Sequence, residues 1–485
     1  VELEALIRAL APDELIGGGP VEVADLAHDT RKVVRDTLFF CVPGEHTDGH
    51  ELAWEAIERG AVALVVEREL EVAVPQLRVG DARAAMAIAA DVFFGEPTKE
   101  LEVAGVTGTN GKTTTAFLLR AILEAAGCRS GLVGTVEWVV GGKRRPAPFT
   151  TPEAIELHRL FREMLDTGDR GVALEASSHG AALCRLDRVR FDALVFTNLS
   201  QDHLDLHGTM EEYFQAKRRL FAGAQPPPAA VNVGDPWGRR LADNLTDLGR
   251  APIISFGLVD DAEVRPEGLE VTVHGSRFHA GGIAIETRLR GLFNVTNVLG
   301  AVAAGILLDL DEDAIAHGIA AVDAVSGRFE AIDEGQPFAV LVDYAHTPDS
   351  LETVLRAARG LGDGRLIVVF GAGGDRDRGK RPFMGKIAAE LSDLAIVTSD
   401  NPRSEDPIAI IQDVLQGAGL DVEIDPDRRS AIERALGLAA AGDIVVIAGK
   451  GHETGQEIDG VVHPFDDREV ARAALHRLAT ARSKG

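Results

Sequence analysis

Val103-Ala-Gly-Val-Thr-Gly-Thr-Asn-Gly-Lys-Thr-Thr-Thr115 is the stretch that decides the fold of this chain. Its apolar start predicts a buried strand over Leu101–Thr107, and the Ala- and Leu-rich text after it predicts a helix over Lys112–Ala126. Gly108 and Gly111 let backbone N–H groups of the intervening turn, with Thr109 and Asn110, point inward around phosphate oxygens. The helix N-terminus, with Thr114 in its first turn, adds partial positive charge. Lys112 can reach β- and γ-phosphates, and the Thr113 hydroxyl can ligate Mg²⁺. Full P-loop spacing would put its first glycine where Val106 stands, so the match is to a shortened variant, T-G-T-N-G-K-T-T. Gly371-Ala-Gly-Gly-Asp-Arg376 lacks the third glycine of a dinucleotide fingerprint.

Outward from this loop, β-rich apolar runs alternate with helical periodicity, which reads as α/β. At roughly 150 residues per domain, 485 residues predict three domains, with expected bounds 1–97, 98–327 and 328–485. The first, smaller α/β domain should hold strands at Thr37–Val42 and Ala61–Val66 and helices at His50–Arg59 and Ala82–Phe94. The central one, of P-loop ATPase type with a mostly parallel sheet, should add strands at Val172–Glu175 and Ala193–Thr197. Its further helices are expected at Met210–Phe221 and Asn297–Leu308. Phe338–Asp343, Leu366–Phe370, Leu394–Val397 and Ile444–Ala448, separated by helical patterns, predict a Rossmann-like doubly wound sheet in the third.

Composition narrows the function. Acidic residues number 76 against 50 basic ones, a formal charge of −26, whereas nucleic-acid binders show a basic footprint. No nucleic-acid partner is expected, although a local basic pocket can still hold a small anion. The three cysteines form no C-x-x-C pair, which fits a reducing cytosol. No uncharged apolar run approaches the roughly 18 residues of a membrane span. A cytoplasmic protein without a membrane span is expected.

Leu174-Glu-Ala-Ser-Ser-His179, Phe196-Thr-Asn-Leu-Ser-Gln-Asp-His-Leu-Asp-Leu-His-Gly208 and Glu212-Tyr-Phe-Gln-Ala-Lys217 follow the loop in order. Together with Asp29-Thr-Arg31 and Gly449-Lys-Gly-His-Glu453, they resemble the Mur ligases, which add amino acids to the peptidoglycan precursor. Within that family the signatures are closest to those of the enzymes that add the third residue. The resemblance implies that ATP phosphorylates a substrate carboxylate and that an amine then attacks the acyl phosphate. Positioning and charge neutralisation dominate such chemistry.

The resemblance also assigns roles. Lys112, Glu175, His203 and Lys217 would be catalytic, and Thr113, Glu175, His203 and a carbamylated Lys217 would hold Mg²⁺. Asn294, Arg328, Asp343 and His346 would contact ATP beside the loop residues. Thr30, Thr150, Thr151, Ser177 and Arg185 would bind the UDP-N-acetylmuramoyl dipeptide, with Glu45, His46 and Thr47 near its uracil. Arg376, Asp400, Asn401, Pro402, Arg403, Gly449 and Glu453 would bind the incoming amino acid. Taken alone, Glu175 reads as a capping carboxylate, His203 as a hydrogen-bonded histidine and Lys217 as a solvated helix lysine.

Arg403 carries the choice of amino acid. A guanidinium pairs two-pronged with a carboxylate. Meso-diaminopimelate has a carboxylate at its far end, where lysine has only an ammonium, so meso-diaminopimelate is the expected partner and Glu453 suits its distal ammonium. L-lysine or another diamino acid remains an alternative, as does an amide ligase of the folylpolyglutamate synthase kind. A catalytically silent nucleotide-binding protein is a third reading. A monomer is expected, with the last domain closing on the central one to exclude water from the acyl phosphate.

Overall fold

Every residue but the first of the Glu102–Thr107 strand is buried, and its side chains alternate between two cores. Ala104 and Val106 pack with Leu118, Leu119, Val298 and Val302, from the helices Lys112–Ala125 and Leu292–Leu307. Val103 faces the other way, toward Leu157 and Phe161 of the helix Ala154–Asp166. Period-2 alternation with apolar residues on both faces is what a central parallel strand between helical layers requires. The structure is a computed structural model describing residues 1–44, 47–223, 225–249, 251–272, 274–419 and 422–482.

Among the described residues this strand lies inside an eight-stranded sheet. The order is Ile253–Phe256, Ala229–Asn232, Ala193–Phe196, Glu102–Thr107, Gly171–Glu175, Ser130–Val133, Glu137–Val140 and Lys143–Pro146. The first six run parallel, and the last two continue as an antiparallel hairpin. The carboxyl ends of the central strand and its two neighbours therefore converge at one crevice, where open α/β sheets bind ligands. A three-stranded antiparallel sheet, Glu267–Thr272, Gly275–Ala280 and Ile283–Thr287, packs on the same core through Phe278 and Ile285.

The last domain is built on a six-stranded sheet ordered Glu330–Ala331, Ala339–Asp343, Ile444–Ala448, Leu366–Phe370, Leu394–Val397 and Glu423–Ile424. All its pairings are parallel except the first. Arg428 and Asp467, both fully buried, meet in a two-pronged ion pair of 2.8 and 2.7 Å behind this sheet. Arg428 also donates to the Ala448 carbonyl at 2.9 Å, tying the end of a central strand to the C-terminal helix. The first domain is a five-stranded sheet, Glu14–Ile16, Gln76–Arg78, Ala61–Val66, Thr37–Phe40 and Asp25–Ala27.

Several elements depart from the sequence reading. The helix expected at His50–Arg59 is a 3₁₀ turn, Gly49–Leu52, capped by Asp48, followed by the helix Ala53–Arg59. Met210–Phe221 divides into the helix Met210–Arg218 and a 3₁₀ turn, Arg219–Phe221. The helix expected from Asn297 begins at Leu292, because Asn294 and Asn297 are turned inward and bond each other at 2.9 Å. The hairpin Gly455–Ile458 and Val461–Pro464 had no counterpart in the sequence reading.

Candidate active site between the central and last domains

The phosphate loop demands glycine on steric grounds. Gly108 and Gly111 have φ of +145° and +86°. A Cβ at Gly108 would stand 1.9 Å from Thr197 Oγ1, and one at Gly111 would stand 2.2 Å from Asn297 Oδ1. No side chain caps the helix that starts at Lys112, so its first N–H groups are left for an anion. Lys112 folds back over the loop, donating to the Gly108 and Thr109 carbonyls at 3.0 and 2.7 Å. Burial pulls its pKa down, while Glu175 and Asp202 oppose that shift.

Glu175 ends its strand in register with Val106 and is buried. Its Oε2 accepts from Thr113 Oγ1 and Thr135 Oγ1, both at 3.0 Å, and its Oε1 accepts from the Thr135 N–H at 2.8 Å. Arg328, from the start of the last domain, donates to Thr113 Oγ1 at 3.1 Å, and its Nε is buried without a partner. Adjacent hard oxygens on Thr113 and Glu175, beside an anion cradle, match the donors Mg²⁺ takes. Lys217 brings no such donor as an amine. It is buried, donates to the Gly108 carbonyl at 2.8 Å and lies 4.8 Å from the Tyr213 ring centre. Burial and the nearby Lys112 charge push its pKa far down. His203, at φ +54°, stands 3.3 Å from Asp202, and its ring meets that of His179 edge-on at 4.8 Å. Burial brings the His203 pKa down to about 4. Among the described residues no group of three or more His, Cys, Asp or Glu side chains forms a ready metal cage.

The remaining residues assigned to ATP fall into two groups. Asp343 closes its strand by accepting from the Phe329 and Ala345 N–H groups, each at 2.7 Å, and burial raises its pKa to about 6. His346 lies nearby, its Nδ1 2.8 Å from the Tyr344 carbonyl. Asn294 is buried and donates to the Arg290 carbonyl at 2.9 Å, so its amide is engaged at the start of its own helix.

Four of the five residues expected at the nucleotide-sugar substrate come together. Thr151 Oγ1 donates to the Glu175 carbonyl at 2.7 Å and accepts from the Ser177 N–H at 3.1 Å. Arg185 donates to the Thr151 carbonyl at 2.9 Å, and Thr150 meets Thr135 at 3.0 Å. Thr30 is buried in the first domain at the start of a 3₁₀ turn capped by Asp29, and it has no hydrogen bond to the other four. Glu45 and His46 lie outside the described residues; Thr47 accepts from the Gly44 N–H at 3.0 Å.

The residues expected at the amino acid share one cavity of about 670 Å³ with His203 and His346. Arg376, Asp400, Asn401, Arg403, Gly449 and Glu453 all line it. Asn401 Oδ1 accepts from Lys450 Nζ at 2.9 Å, and Asn401 Nδ2 donates to Glu453 at 2.8 Å. The backbone of Arg403, at φ +53°, is clamped by the C-terminal hairpin through bonds to Glu457 and Asp459 of 3.1 and 2.7 Å. Its guanidinium donates to the Gly374 carbonyl at 2.6 Å. One carboxylate oxygen of Asp400 is buried without a partner. Pro402 is packed so close to Gly374 that a Cβ there would meet its carbonyl oxygen at 1.9 Å. Gly327 and Gly451 likewise touch backbone to backbone, with 2.2 Å from a Gly327 Cβ to the Gly451 carbonyl carbon.

Thr135, Asp202, Tyr213, Tyr344, Asp349 and Lys450 were not singled out from the sequence. Thr135 and Asp202 follow strand carboxyl ends, a signal that could have found them. Asp349 accepts from Asn110 and Ser200 at 2.8 and 2.7 Å across the domain boundary, a long-range contact with no local signature.

Comparison with known proteins agrees with this geometry. Three family descriptions match: Mur ligase family, catalytic domain, over residues 22–112; Mur ligase middle domain over 106–305; and Mur ligase, glutamate ligase domain, over 327–451. The UDP-N-acetylmuramoyl-L-alanyl-D-glutamate--2,6-diaminopimelate ligase of Geobacillus thermodenitrificans is 47% identical over 490 residues, covering 98% of this chain and 99% of that protein. A solved structure bearing the same enzyme name superposes with a TM-score of 0.71 at 34% identity, covering 98% and 99% of the two chains. MurF ligase from Thermotoga maritima in complex with ADP shares the fold at a TM-score of 0.61 and 17% identity, over 94% and 96% of the chains. A phosphate loop facing a Rossmann-like domain across a polar cavity, with relatives matching along almost its whole length, places this chain in the Mur ligase family.

Proposed function

We propose that the protein is an ATP-dependent ligase that joins meso-diaminopimelate to UDP-N-acetylmuramoyl-L-alanyl-D-glutamate. The observation that carries this reading is the single cavity in which Arg403, Asn401 and Glu453 face His203, lined also by Asp349, which accepts from Asn110 of the phosphate loop. Arg403 supplies the fork for the distal carboxylate, and Glu453 an acceptor for the ammonium next to it. The near amine is then directed toward the central domain.

On this reading the loop N–H groups and Lys112 hold the β- and γ-phosphates, and Arg328, already on Thr113, adds positive charge to the same oxygens. The dipeptide carboxylate attacks the γ-phosphorus and ADP leaves. The amine of diaminopimelate attacks the acyl carbon, and inorganic phosphate departs. Mg²⁺, when bound, neutralises phosphate charge, with Thr113, Glu175, His203 and carbamylated Lys217 as its holders. A lysine must be uncharged to take up carbon dioxide, and the depressed pKa of buried Lys217 supports that modification. Thr150, Thr151, Ser177 and Arg185 form the wall on which the nucleotide-sugar dipeptide lies. The enzyme is proposed to act as a monomer. Three unpaired cysteines, Cys41, Cys128 and Cys184, fit a cytoplasmic setting. No helix among the described residues is long and apolar enough to cross a membrane.

The test is to offer meso-diaminopimelate, L-lysine and L-ornithine separately with ATP, Mg²⁺ and the UDP-linked dipeptide, and to weigh the product. A mass increment of diaminopimelate is expected. Turnover with L-lysine alone would refute the role given to Arg403.

A further inference from the structure

Lys380 opens the helix Lys380–Leu391 and lines the cavity from the last domain. It is half-buried, and among the described residues it has no hydrogen-bond or ion-pair partner. Three of the cations around it are engaged, while Arg376 is exposed to solvent. Arg378 pairs with Glu405 at 2.9 Å, Arg381 with Glu405 and Asp413 at 2.8 and 2.9 Å, and Arg403 with the Gly374 carbonyl. A partly desolvated ammonium with no direct ion pair of its own is open to an anionic ligand.

Its surroundings say where that ligand sits. Asp202, Asp400 and Asp377 lie within electrostatic reach of Lys380, and Arg376 repels it. Asp202 also feels His203, His346 and Lys112. The Lys380 charge in turn reaches the half-buried His346. Lys380 thus approaches Asp202 from the last domain while Lys112 approaches it from the phosphate loop. On the ligase reading, the space between them is where the γ-phosphoryl group would meet the amino-acid pocket. The forked Arg403 suits a carboxylate, whereas a lysine is a point charge suited to one phosphate oxygen.

We propose that Lys380 is a catalytic residue of the ligation, its ammonium pairing with the phosphoryl oxygens of the acyl phosphate while the amine displaces them. This rests on the ligase reading above. In the step, the amine lone pair forms the C–N bond and the carbonyl oxygen takes up the displaced electron pair. On collapse the oxyanion pair re-forms the carbonyl, the acyl C–O bond breaks with its own electron pair leaving on phosphate, and the proton lost by the amine ends on phosphate. Charge grows on the departing phosphate, so a fixed cation there favours the transition state over the bound reactants.

The test uses the full chain with Lys380→Gln, Lys380→Met and Lys380→Arg, measuring phosphate release with all three substrates. Lys380→Gln and Lys380→Met should lose about 100-fold in kcat. Their KM for diaminopimelate should stay within about threefold, and Lys380→Arg should recover most of the rate. Melting temperatures should match the wild type, because no internal partner is lost. A kcat within about threefold of wild type in Lys380→Gln overturns the proposal. So does a loss confined to KM for the amino acid, and so does a fall in melting temperature shared by the Gln and Met variants. A wild type that releases no phosphate with the three substrates overturns the ligase reading, and this proposal with it. An active wild type with an equally active Lys380→Gln overturns the proposal alone.

Discussion

The two joints of this molecule are built from different materials. Between the first and central domains, Ala154 and Ile155 enter the core formed by Leu3, Leu6, Met86 and Ala90. Asp91 and His158 are buried 3.7 Å apart, and Arg159–Asp25 and Lys32–Glu156 ion pairs line the rim. Between the central and last domains the contacts are mainly polar: Asn110 and Ser200 on Asp349, and Arg328 on Thr113, around the large cavity. An edge-on aromatic pair, Phe293 and Phe329 at 5.3 Å, adds apolar contact there. Apolar burial fixes a joint, whereas polar contacts can be exchanged for water at little cost. The first joint is therefore a wall and the second a jaw, which on the function proposed above would hold the nucleotide-sugar substrate and carry the chemistry.

If this division holds, damage at the jaw should alter rate and damage at the wall should alter stability. The largest effect is expected from Lys217→Ala, a loss on the order of 1000-fold in phosphate release, partly restored by added short carboxylates. Undiminished activity would remove Lys217 from the mechanism. Arg403→Lys should raise KM for diaminopimelate by about 10- to 100-fold, with a smaller change in kcat, since a point charge replaces a fork. Steady-state kinetics with varied amino acid measures it.

At the wall, burial lowers the His158 pKa from 6.5 to about 3, and neither ring nitrogen has a hydrogen-bond partner. A neutral buried histidine contributes stability that is fully present above pH 6.5 and is lost as pH falls toward 3. His158→Phe should make the acid limb of the stability curve shallower by up to about one proton, without changing kcat at neutral pH. Denaturant titrations across that range would read it. The smallest kinetic effect is expected from Asp349→Ala, about a two- to tenfold fall in kcat/KM as two exposed hydrogen bonds go, with no change in melting. Small-angle scattering should register closure of the jaw as a contraction when ATP and both carbon substrates are added. Equal dimensions with and without them would make the second joint as fixed as the first.

The sequence made the wall and the jaw legible to different degrees. Strand, glycines, lysine and threonine of the phosphate loop are contiguous, so local chemistry alone located them, and the observed strand Glu102–Thr107 and helix Lys112–Ala125 follow. Arg403 and Glu453 were legible because each sits in a short motif after a strand. Asn294 and Asn297 misled the helix start, since polar residues satisfied inside a core mimic a loop in the text. Asp349 and Tyr213 matter through partners far away in the chain, as with the 3.1 Å contact of the Tyr213 hydroxyl to Thr109, and no spacing rule reports such meetings.

Gly327 and Gly451 meet without a side chain between them. Such a seam has nothing that can rotate out of the way, so it behaves as a pivot rather than a cushion. The residue after one glycine is the Arg328 that touches the phosphate loop, and the loop around the other carries Gly449 and Glu453. Even a methyl group added at residue 327 would act as a wedge, prising Arg328 and the loop of Gly449 and Glu453 apart in a single stroke.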